Sequence, residues 1–288
     1  MRYGIRAFDT SAYYGPSEIV LGGVLKALKD EFPRESCKLI TKCGRYGLTP
    51  AEFDYSPSTI QRSVQRSLER LNTTYLDILY LHDVDMVADE VMPKRDGDHS
   101  TALSEDREAY DLGLGQEGKV LGEGDGKVLE AYGELKRTKE QGFVKNIGIM
   151  GNYLKLALLV RQKYGPMDVL MSFCHLTVQN DTFTPFVREL AGRAGVGQLL
   201  TASPLSSEAL NMCSTWNGGL PNIALGFAYR NARDLGILTA VGMGSLEQVH
   251  ETVKVWREIA LDGSSQEREE HEDEVLRVFD ASGCRNYS

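Results

Sequence analysis

The sequence is poor in cysteine and contains no long apolar run. Its 5 cysteines are scattered over 288 residues, which is typical of reduced thiols in a cytosolic protein and argues against a disulfide framework or a zinc site. No segment approaches ~18 consecutive apolar residues, and the opening MRYGIRAFDT lacks the apolar core of an export signal. We therefore expect a cytoplasmic protein without a membrane span.

Basic residues are fewer than acidic ones. The chain has 32 Lys and Arg against 41 Asp and Glu, a net charge of -9. A general nucleic-acid binder needs clustered Lys and Arg for phosphate contacts, and no such stripe occurs here. With 42% hydrophobic and 25% charged residues, the composition is ordinary for a soluble globular protein with a core.

Short apolar runs alternate with segments of helical periodicity, the pattern of β–α units around a parallel sheet. A doubly wound sheet fits this alternation, but strand count and length favour an α/β fold of the TIM (β/α)8 barrel type lacking its first strand. We expect one such domain over residues 1–288. The seven predicted strands cover residues 5–9, 38–42, 76–82, 144–150, 167–173, 197–203 and 237–243.

The missing strand follows from where the first apolar run lies. That run begins at residue 5, so an eighth strand would have to precede Met1. A barrel with an open seam exposes two strand edges, which is unfavourable for stability. Either the protein is longer, or seven strands close the barrel, or a partner fills the gap.

Helical periodicity follows each predicted strand. Ser17 is expected to cap the first helix, and Ser56 to cap the second, with Pro57 at its first position. Apolar faces are predicted at Val20, Val24 and Leu28 in the first helix and at Ile60, Val64, Leu68 and Leu71 in the second. Further helices are predicted over 127–141, 153–163, 183–194, 222–233 and 246–260.

Two segments depart from this rhythm. Residues 86–126 are polar, acidic and rich in glycine, and we expect a long loop or disordered insertion there. The segment from about 262 is acidic and is expected to be mobile.

Four titratable side chains follow the first three predicted strands. Asp9 ends the first, with Tyr14 in the loop behind it, Lys42 ends the second and His82 ends the third. Reactive groups of a β/α barrel gather at the carboxyl ends of its strands. Alone, each residue has a structural explanation: a turn or cap for Asp9, a solvated strand end for Lys42, core packing for His82 or Tyr14. Their coincidence at one rim favours a catalytic site.

The same stretches carry a family resemblance, from about residue 5 to about 260. FDTSAYYG resembles the Asp-Thr-Ala-x-x-Tyr-Gly motif of the aldo-keto reductases, with Ser11 in place of the alanine. LITKCG, LDILYLHDVD, GFVKNIGIMG and ASPLS are similar to further family segments. SFCHLTVQN and ASPLS most resemble the branch that includes NAD-dependent D-arabinose dehydrogenase and L-galactose dehydrogenase.

The resemblance implies an oxidoreductase that transfers a hydride between a nicotinamide cofactor and an aldose or aldehyde. Tyr14 would exchange the proton, Lys42 would lower its pKa, Asp9 would orient Lys42, and His82 would hydrogen-bond the reacting oxygen. The reaction is either oxidation of a sugar C1 hydroxyl to a lactone or reduction of a carbonyl. The alternative is a non-catalytic or impaired relative that binds cofactor or a partner. Relative to the family the chain looks N-terminally incomplete, and this lost first strand, Met150 and the acidic insertion favour that alternative. The intact set of four residues favours the enzyme.

The cofactor is expected in the last two βα loops. The literal G-x-G-x-x-G at 113–118 lacks the strand and helix that a dinucleotide fingerprint needs, so we reject it. By resemblance, Ser203, Leu205, Gly244 and Ser245 contact the dinucleotide, although both loops could be plain turns. Because residues 241–252 contain no Lys or Arg but contain Glu247 and Glu251, NAD is expected, with NADP the alternative.

A departure lies after the fourth predicted strand. Relatives carry Ser-Asn there to hold the carboxamide, whereas this chain has Met150 and Gly151, with Asn152 one step later. A methionine cannot donate that hydrogen bond, so Gly151 and Asn152 are the expected contacts. His175 could face substrate or be structural. We expect a small sugar or aldehyde as substrate, no metal, and a monomer or weak dimer.

Overall fold

The computed structural model describes residues 1–91, 99–108, 110, 112, 118–151, 154–205 and 219–286, apart from the side chains of 99 and 262. Much of the predicted insertion at 86–126, including most of the 113–118 motif, lies outside these residues. So does Asn152.

Seven strands form one sheet in the order of the chain. Neighbouring strands run parallel in each register that the structure gives, for example Ala7 opposite Lys38 and Leu200 opposite Leu238. A doubly wound sheet would reverse its strand order at a switch point, so the sequential order favours the barrel topology and confirms the predicted strands. They are β1 (Ala7–Asp9), β2 (Lys38–Cys43), β3 (Leu76–Leu81), β4 (Val144–Met150), β5 (Val169–Phe173), β6 (Gln198–Ala202) and β7 (Leu238–Ala240).

The chain divides into two compact units. The first unit consists of Met1–Val91, Leu114–Leu170 and Arg193–Gly197, and the second of Met92–Gly113, Met171–Gly192 and Gln198–Ser288. A single domain over 1–288 stays a prediction.

Helices follow the strands, mostly within a few residues of the predicted bounds. α3 begins four residues before the predicted 127, inside the stretch expected to be a loop, and α5 continues as a π-helix over Glu189–Arg193. The acidic C-terminal segment contains α8. The helices are α1 (Ser17–Ala27), α2 (Pro57–Arg70), α3 (Glu123–Glu140), α4 (Leu154–Tyr164), α5 (Thr184–Arg188), α6 (Gly219–Leu235), α7 (Leu246–Arg257) and α8 (Gln266–Ala281).

Helix α2 has the face that its periodicity predicts. It begins at Pro57 with Ser56 as N-cap residue, but the Ser56 side chain makes no capping hydrogen bond. The predicted apolar stripe is buried throughout, at Ile60, Val64, Leu68 and Leu71. Helix α2 contacts α1, α3 and β2, and so it supports the strand that carries Lys42.

Helix α1 packs through the opposite face from the one predicted. Val20 is 60% exposed and Val24 47% exposed, while Glu18 and Gly22 are buried. Glu18 accepts hydrogen bonds from Thr41 Oγ1 and Ser67 Oγ, both at 2.7 Å. The apolar-face prediction is therefore wrong, because polar partners on β2 and α2 bury a carboxylate. Ser17 is also not the cap: Pro16 precedes the helix, and Ser17 Oγ accepts from Thr10 Oγ1.

The contact between α1 and α2 depends on a missing side chain at Gly22. A Cβ there would lie 2.0 Å from the carbonyl oxygen of Arg70 and 2.7 Å from the Cα of Leu71. Since both atoms belong to the backbone, they cannot rotate away. At the adjacent Gly23 a Cβ would meet nothing within 4 Å.

We expect Gly22→Ala to lower the free energy of unfolding by roughly 1–3 kcal/mol, because overpacking forces the two helices apart. Gly23→Ala should instead raise it by about 0.5–1 kcal/mol, since alanine is the better helix former and has room here. Urea unfolding of the two variants against the wild type measures both. Equal changes in the pair would contradict the close approach at Gly22.

Within the first unit, a buried carboxylate hydrogen-bonds residues near the beginning and near the end of the 86–126 segment. Asp125, fully buried, accepts from Asp89 N at 3.2 Å and from Leu121 N at 2.9 Å, and pairs with Lys155 Nζ at 2.7 Å. In return, Asp125 N donates to the Asp89 carboxylate at 2.8 Å. We call these four residues the Asp125 clasp.

Helix α8 is tied to the second unit by charge and by apolar packing. Arg268 donates to Glu258 at 2.8 Å and to the Asn222 side chain at 2.8 Å, and Arg230 pairs with the buried Glu272. Val275, Leu276 and Phe279 pack against a core cluster formed by Val178, Ile223, Ala224 and Phe227. No helix among the described residues is long and apolar enough to cross a membrane.

Candidate active site

The four side chains predicted at strand ends all belong to the first unit, and the structure brings them together. Asp9 is the last residue of β1, Lys42 the penultimate residue of β2, and His82 directly follows β3. The parallel register sets Lys42 opposite Tyr80, and His82 N continues the ladder to Cys43 O at 2.9 Å. The three strand ends therefore lie at one edge of the sheet.

Lys42 is the buried charge of this group. Its side chain is 1% exposed, and it is held by an ion pair with Asp9 and by a 3.0 Å hydrogen bond to Thr10 O. Asp9 keeps 22% of its side chain exposed. Loss of hydration raises the pKa of Asp9, and the Lys42 charge opposes that rise. A buried ammonium that has lost its hydration is costly unless an ion pair and hydrogen bonds compensate for that loss.

Tyr14 lies over this ammonium in the turn that follows β1. Tyr14 N donates to Ser11 O at 3.0 Å, and Gly15 adopts a φ of 54°, a left-handed conformation that glycine accepts without strain. This turn carries the ring to within 5.0 Å of Lys42 Nζ, measured to the ring centroid. The residue remains 42% exposed, so solvent reaches part of it.

The net change in the pKa of Tyr14 is not the one that Lys42 alone would produce. Burial of the phenol raises the pKa above its ordinary value, and Asp9 and Asp83 add to the rise, whereas Lys42 lowers it. Lys42 therefore has the expected effect, but the loss of hydration outweighs it. As a result, Tyr14 keeps its proton at neutral pH.

His82 is neutral and fixed on several sides. The residue is 2% exposed, and its ring meets the Tyr14 ring edge to face, with centroids 5.8 Å apart. Burial lowers the pKa of His82 to about 2, with Lys42 and Arg45 contributing. Tyr55 OH donates to His82 O at 2.6 Å and so fixes the backbone at this strand end.

The lowered pKa of His82 predicts how the free energy of unfolding depends on pH. Unfolded histidine has a pKa near ~6.5, so below that pH the unfolded chain takes up a proton that folded His82 refuses. The contribution of His82 to stability is full above about pH 6.5, and the free energy of unfolding should fall by about 1.4 kcal/mol per pH unit below it. Urea unfolding at about pH 7 and about pH 5, compared with His82→Asn, isolates this slope. Identical slopes in both proteins would contradict it.

Arg45, Tyr13 and Asp83 surround His82, and none of them was among the predicted site residues. The Arg45 guanidinium lies over the Tyr13 ring, 4.1 Å from its centroid, and donates to Tyr13 OH at 3.2 Å. Arg45 also pairs with Asp83, whose Oδ2 lies 3.6 Å from His82 Nε2. Tyr13 next to Tyr14, and Asp83 directly after His82, could have been noticed in the sequence. Their shared partner Arg45 could not, because it lies 32 residues from Tyr13 and 38 from Asp83.

The predicted dinucleotide contacts belong to the second unit. Ser203 follows β6 with a φ of 58°, its N–H bonded to Ala240 O at 3.2 Å, and Leu205 packs into the core clusters there. Ser245 caps α7 by accepting from Gln248 N, and exposed Gly244 donates its N–H to the flexible Gln248 side chain at 2.6 Å. An exposed helix N-terminus whose N–H groups have such displaceable partners fits a dinucleotide phosphate.

Two acidic residues lie near the N-terminus of α7: Glu247, which stays charged, and Glu251, which forms an ion pair. Hydrogen bonds at the start of the helix, first from its own backbone N–H and then from Ser245, lower the pKa of the exposed Glu247. Glu251 pairs with Lys254 across one turn at 3.8 Å. A further phosphate beside the Glu247 carboxylate would be repelled.

The side chains next to position 151 explain why Met150 is followed by a glycine. Met150 is buried at the end of β4, and Gly151, also buried, has a φ of 148° at which a Cβ would lie 2.5 Å from Asp85 Oδ1. Only glycine fits there, so Gly151 offers its backbone alone. His175 belongs to the second unit and bonds the Phe173 carbonyl oxygen through Nδ1. No group of His, Cys, Asp and Glu among the described residues could hold a metal ion.

Comparison with known proteins identifies relatives for most of the chain. Residues 1–212 match the aldo/keto reductase family. A D-arabinose 1-dehydrogenase of Saccharomyces cerevisiae is 34% identical over 220 residues, which are 74% of this chain and 54% of that protein. An L-galactose dehydrogenase of Arabidopsis thaliana is 30% identical over 293 residues, 92% of this chain and 78% of that protein. The chain thus spans about half the length of the yeast relative.

Solved structures share the fold. An aldo-keto reductase from Bacillus halodurans in its holo form superposes with a TM-score of 0.60 at 18% identity, covering 95% of this chain and 83% of its own. An aldose reductase from Schistosoma japonicum gives 0.60 at 14% identity, with 96% and 80% covered. Both likenesses confirm the predicted barrel-type α/β fold, and the family and its branch agree with the resemblance noted in the sequence.

Proposed function

Because this chain belongs to the aldo/keto reductase family, we propose that it is a nicotinamide-dependent oxidoreductase acting on aldoses or aldehydes. The observation that carries the proposal is the buried Lys42 ammonium, held by Asp9 and lying 5.0 Å from the ring of an accessible tyrosine. The names of the relatives support a sugar as substrate, and that of the yeast relative supports oxidation at C1.

Tyr14 is the proposed proton donor and acceptor. A carbonyl that is being reduced develops negative charge on its oxygen and needs a proton, and a phenol that stays protonated at neutral pH can give one. In the oxidative direction the phenolate form of Tyr14, which has first released its proton to solvent, takes the proton from a sugar hydroxyl. Lys42 assists in both directions, because its charge stabilises the phenolate that exists while the proton is away.

Asp9 and His82 have supporting roles in the proposal. Asp9 holds Lys42 charged and in place, since an unpaired ammonium would be costly in this dry position. His82, neutral and rigidly held, donates a hydrogen bond to the reacting oxygen and directs it towards Tyr14. The nicotinamide ring, when bound, supplies or takes up the hydride.

The proposed dinucleotide contacts are Ser203, Leu205, Gly244 and Ser245, together with the backbone of Gly151 and with Asn152. NAD is the proposed cofactor and NADP the alternative. Glu247, which carries its charge at the exposed start of α7, supports NAD, because a 2′-phosphate would lie beside it without a cation. No observation on the described residues favours the non-catalytic alternative.

The test is a turnover assay on the purified chain. NAD and NADP are supplied separately with a panel of aldoses, and their reduced forms with simple aldehydes, while absorbance of the reduced nicotinamide is followed. We expect turnover with at least one aldose and a higher kcat/KM with NAD than with NADP. Binding of the cofactor without turnover of any member of the panel would contradict the enzyme, and equal kcat/KM values would contradict the NAD assignment.

A further inference from the structure

Ser11 is a buried hydroxyl at the site that the proposed chemistry does not use. The residue is 0% exposed and lies two positions after Asp9. Its Oγ is 3.1 Å from His82 Nδ1, a contact between side chains 71 residues apart in sequence. The contact fixes one ring nitrogen of the histidine that faces Tyr14.

The hydrogen atoms available at Ser11 determine the direction of this hydrogen bond. Tyr13 N–H donates to Ser11 Oγ at 3.1 Å, so a lone pair of the hydroxyl is already occupied by a donor. The hydroxyl still has one hydrogen to give, and a buried hydroxyl that gives nothing loses a hydrogen bond at a cost. Among the described contacts of Ser11 Oγ, the acceptor within reach is His82 Nδ1.

The other side of the imidazole leads to the same assignment. Asp83 Oδ2 lies 3.6 Å from Nε2, and Arg45 holds that carboxylate in position. A carboxylate attracts an N–H and repels a nitrogen lone pair. A neutral imidazole carries one N–H, so a lone pair towards Ser11 and a proton towards Asp83 satisfy both neighbours.

We propose that Ser11 is a positioning residue that fixes the tautomer of His82, donating its hydroxyl hydrogen to Nδ1 so that Nε2 carries the ring proton. The inference deepens the proposed function and rests on it for its catalytic consequence. At 3.6 Å the Asp83 carboxylate attracts the Nε2 proton without forming a hydrogen bond to it, so the ring edge away from Ser11 still presents a donor, as the oxygen of an aldose or aldehyde requires. With the proton on Nδ1, that edge would present a lone pair and repel the oxygen.

Nuclear magnetic resonance of the ring nitrogens tests the tautomer without any substrate. Protein labelled with 15N-histidine is compared as wild type, Ser11→Ala and Ser17→Ala, and the His82 signals are assigned by their absence from His82→Asn. Ser17 is the matched control, since its hydroxyl lies at the start of the next helix and contacts Thr10 rather than His82.

In the wild type we expect Nδ1 unprotonated and Nε2 protonated at neutral pH. Ser11→Ala should shift the Nδ1 signal and populate the Nδ1-protonated form, whereas Ser17→Ala should leave both signals in place. A protonated Nδ1 in the wild type, or an unchanged His82 spectrum in Ser11→Ala, would overturn the inference. These outcomes do not depend on turnover, so the proposed function can fail while the tautomer assignment stands.

Kinetics then connects the tautomer to the reaction. Ser11→Ala should lower kcat about fivefold to tenfold, the factor expected for one neutral hydrogen bond, with the cofactor Kd unchanged. Ser11→Thr keeps the hydroxyl and should recover kcat, while Ser11→Cys, a weak donor, should fall between the two. An unchanged kcat in Ser11→Ala beside an altered tautomer would reject the catalytic role.

Discussion

Replacing Tyr14 with Phe is expected to lower kcat about 10²–10⁴-fold, the range for loss of a positioned general acid or base. The change removes one oxygen and keeps the ring that lies over Lys42 and against His82. The Kd of the cofactor, measured by fluorescence titration, and the free energy of unfolding should therefore remain close to the wild-type values. Steady-state kinetics with the best aldose of the panel measures the loss.

Tyr13→Phe is the matched control for this variant. Tyr13 lies next in sequence, but its hydroxyl accepts from Arg45 and its ring centroid is 6.0 Å from that of His82. Removing the neighbouring hydroxyl should change kcat much less than removing the one beside Lys42. Comparable losses in the two variants, or near-normal turnover in purified Tyr14→Phe, would refute the assignment of Tyr14.

Lys42→Met should remove activity to a similar extent and should also destabilise the fold. Lys42 is the group that opposes the burial which already raises the pKa of Tyr14, so without the ammonium the phenolate becomes still less accessible. Asp9 is left without its partner in a largely dry position. Because 22% of the Asp9 side chain is exposed, we expect a loss of about 1–3 kcal/mol, below the range for a fully buried pair.

The double variant Asp9→Asn/Lys42→Met separates the two effects. It removes the orphaned charge, so the free energy of unfolding should recover most of the loss, whereas kcat should stay as low as in the single variant. Urea unfolding and steady-state kinetics on the same preparations measure both. Activity in the double variant, or a single variant as stable as the wild type, would contradict the role of Lys42.

The strands and α2 were predictable because their signals are local. An apolar run between polar turns indicates a buried strand, and the stripe Ile60, Val64, Leu68 and Leu71 is buried as its spacing predicts. Helix α1 shows the limit of that reasoning. Its periodicity identifies the apolar side but not what covers it, and the side that packs is chosen by polar partners of Glu18 on other elements.

Some features of the candidate site could likewise be predicted from the sequence, and others could not. Asp9, Lys42 and His82 were predictable because strand ends of a parallel sheet meet at one edge. The net pKa change of Tyr14 was not, since charge and desolvation oppose each other and only the three-dimensional surroundings determine which is larger. Ser11, Arg45 and Tyr55 act through hydrogen bonds to residues far away in sequence, and periodicity carries no information about such pairs.

The Asp125 clasp has a consequence for how this part of the gene can change. Two backbone N–H groups, one from each side of the intervening segment, share a single carboxylate, so the ends of the segment stay side by side whatever its length. Because the entropy of closing a loop grows only with the logarithm of its length, codons can be gained or lost between these anchor points at small thermodynamic cost. Length variation during evolution is therefore expected to concentrate between Asp89 and Leu121 rather than in the neighbouring strands.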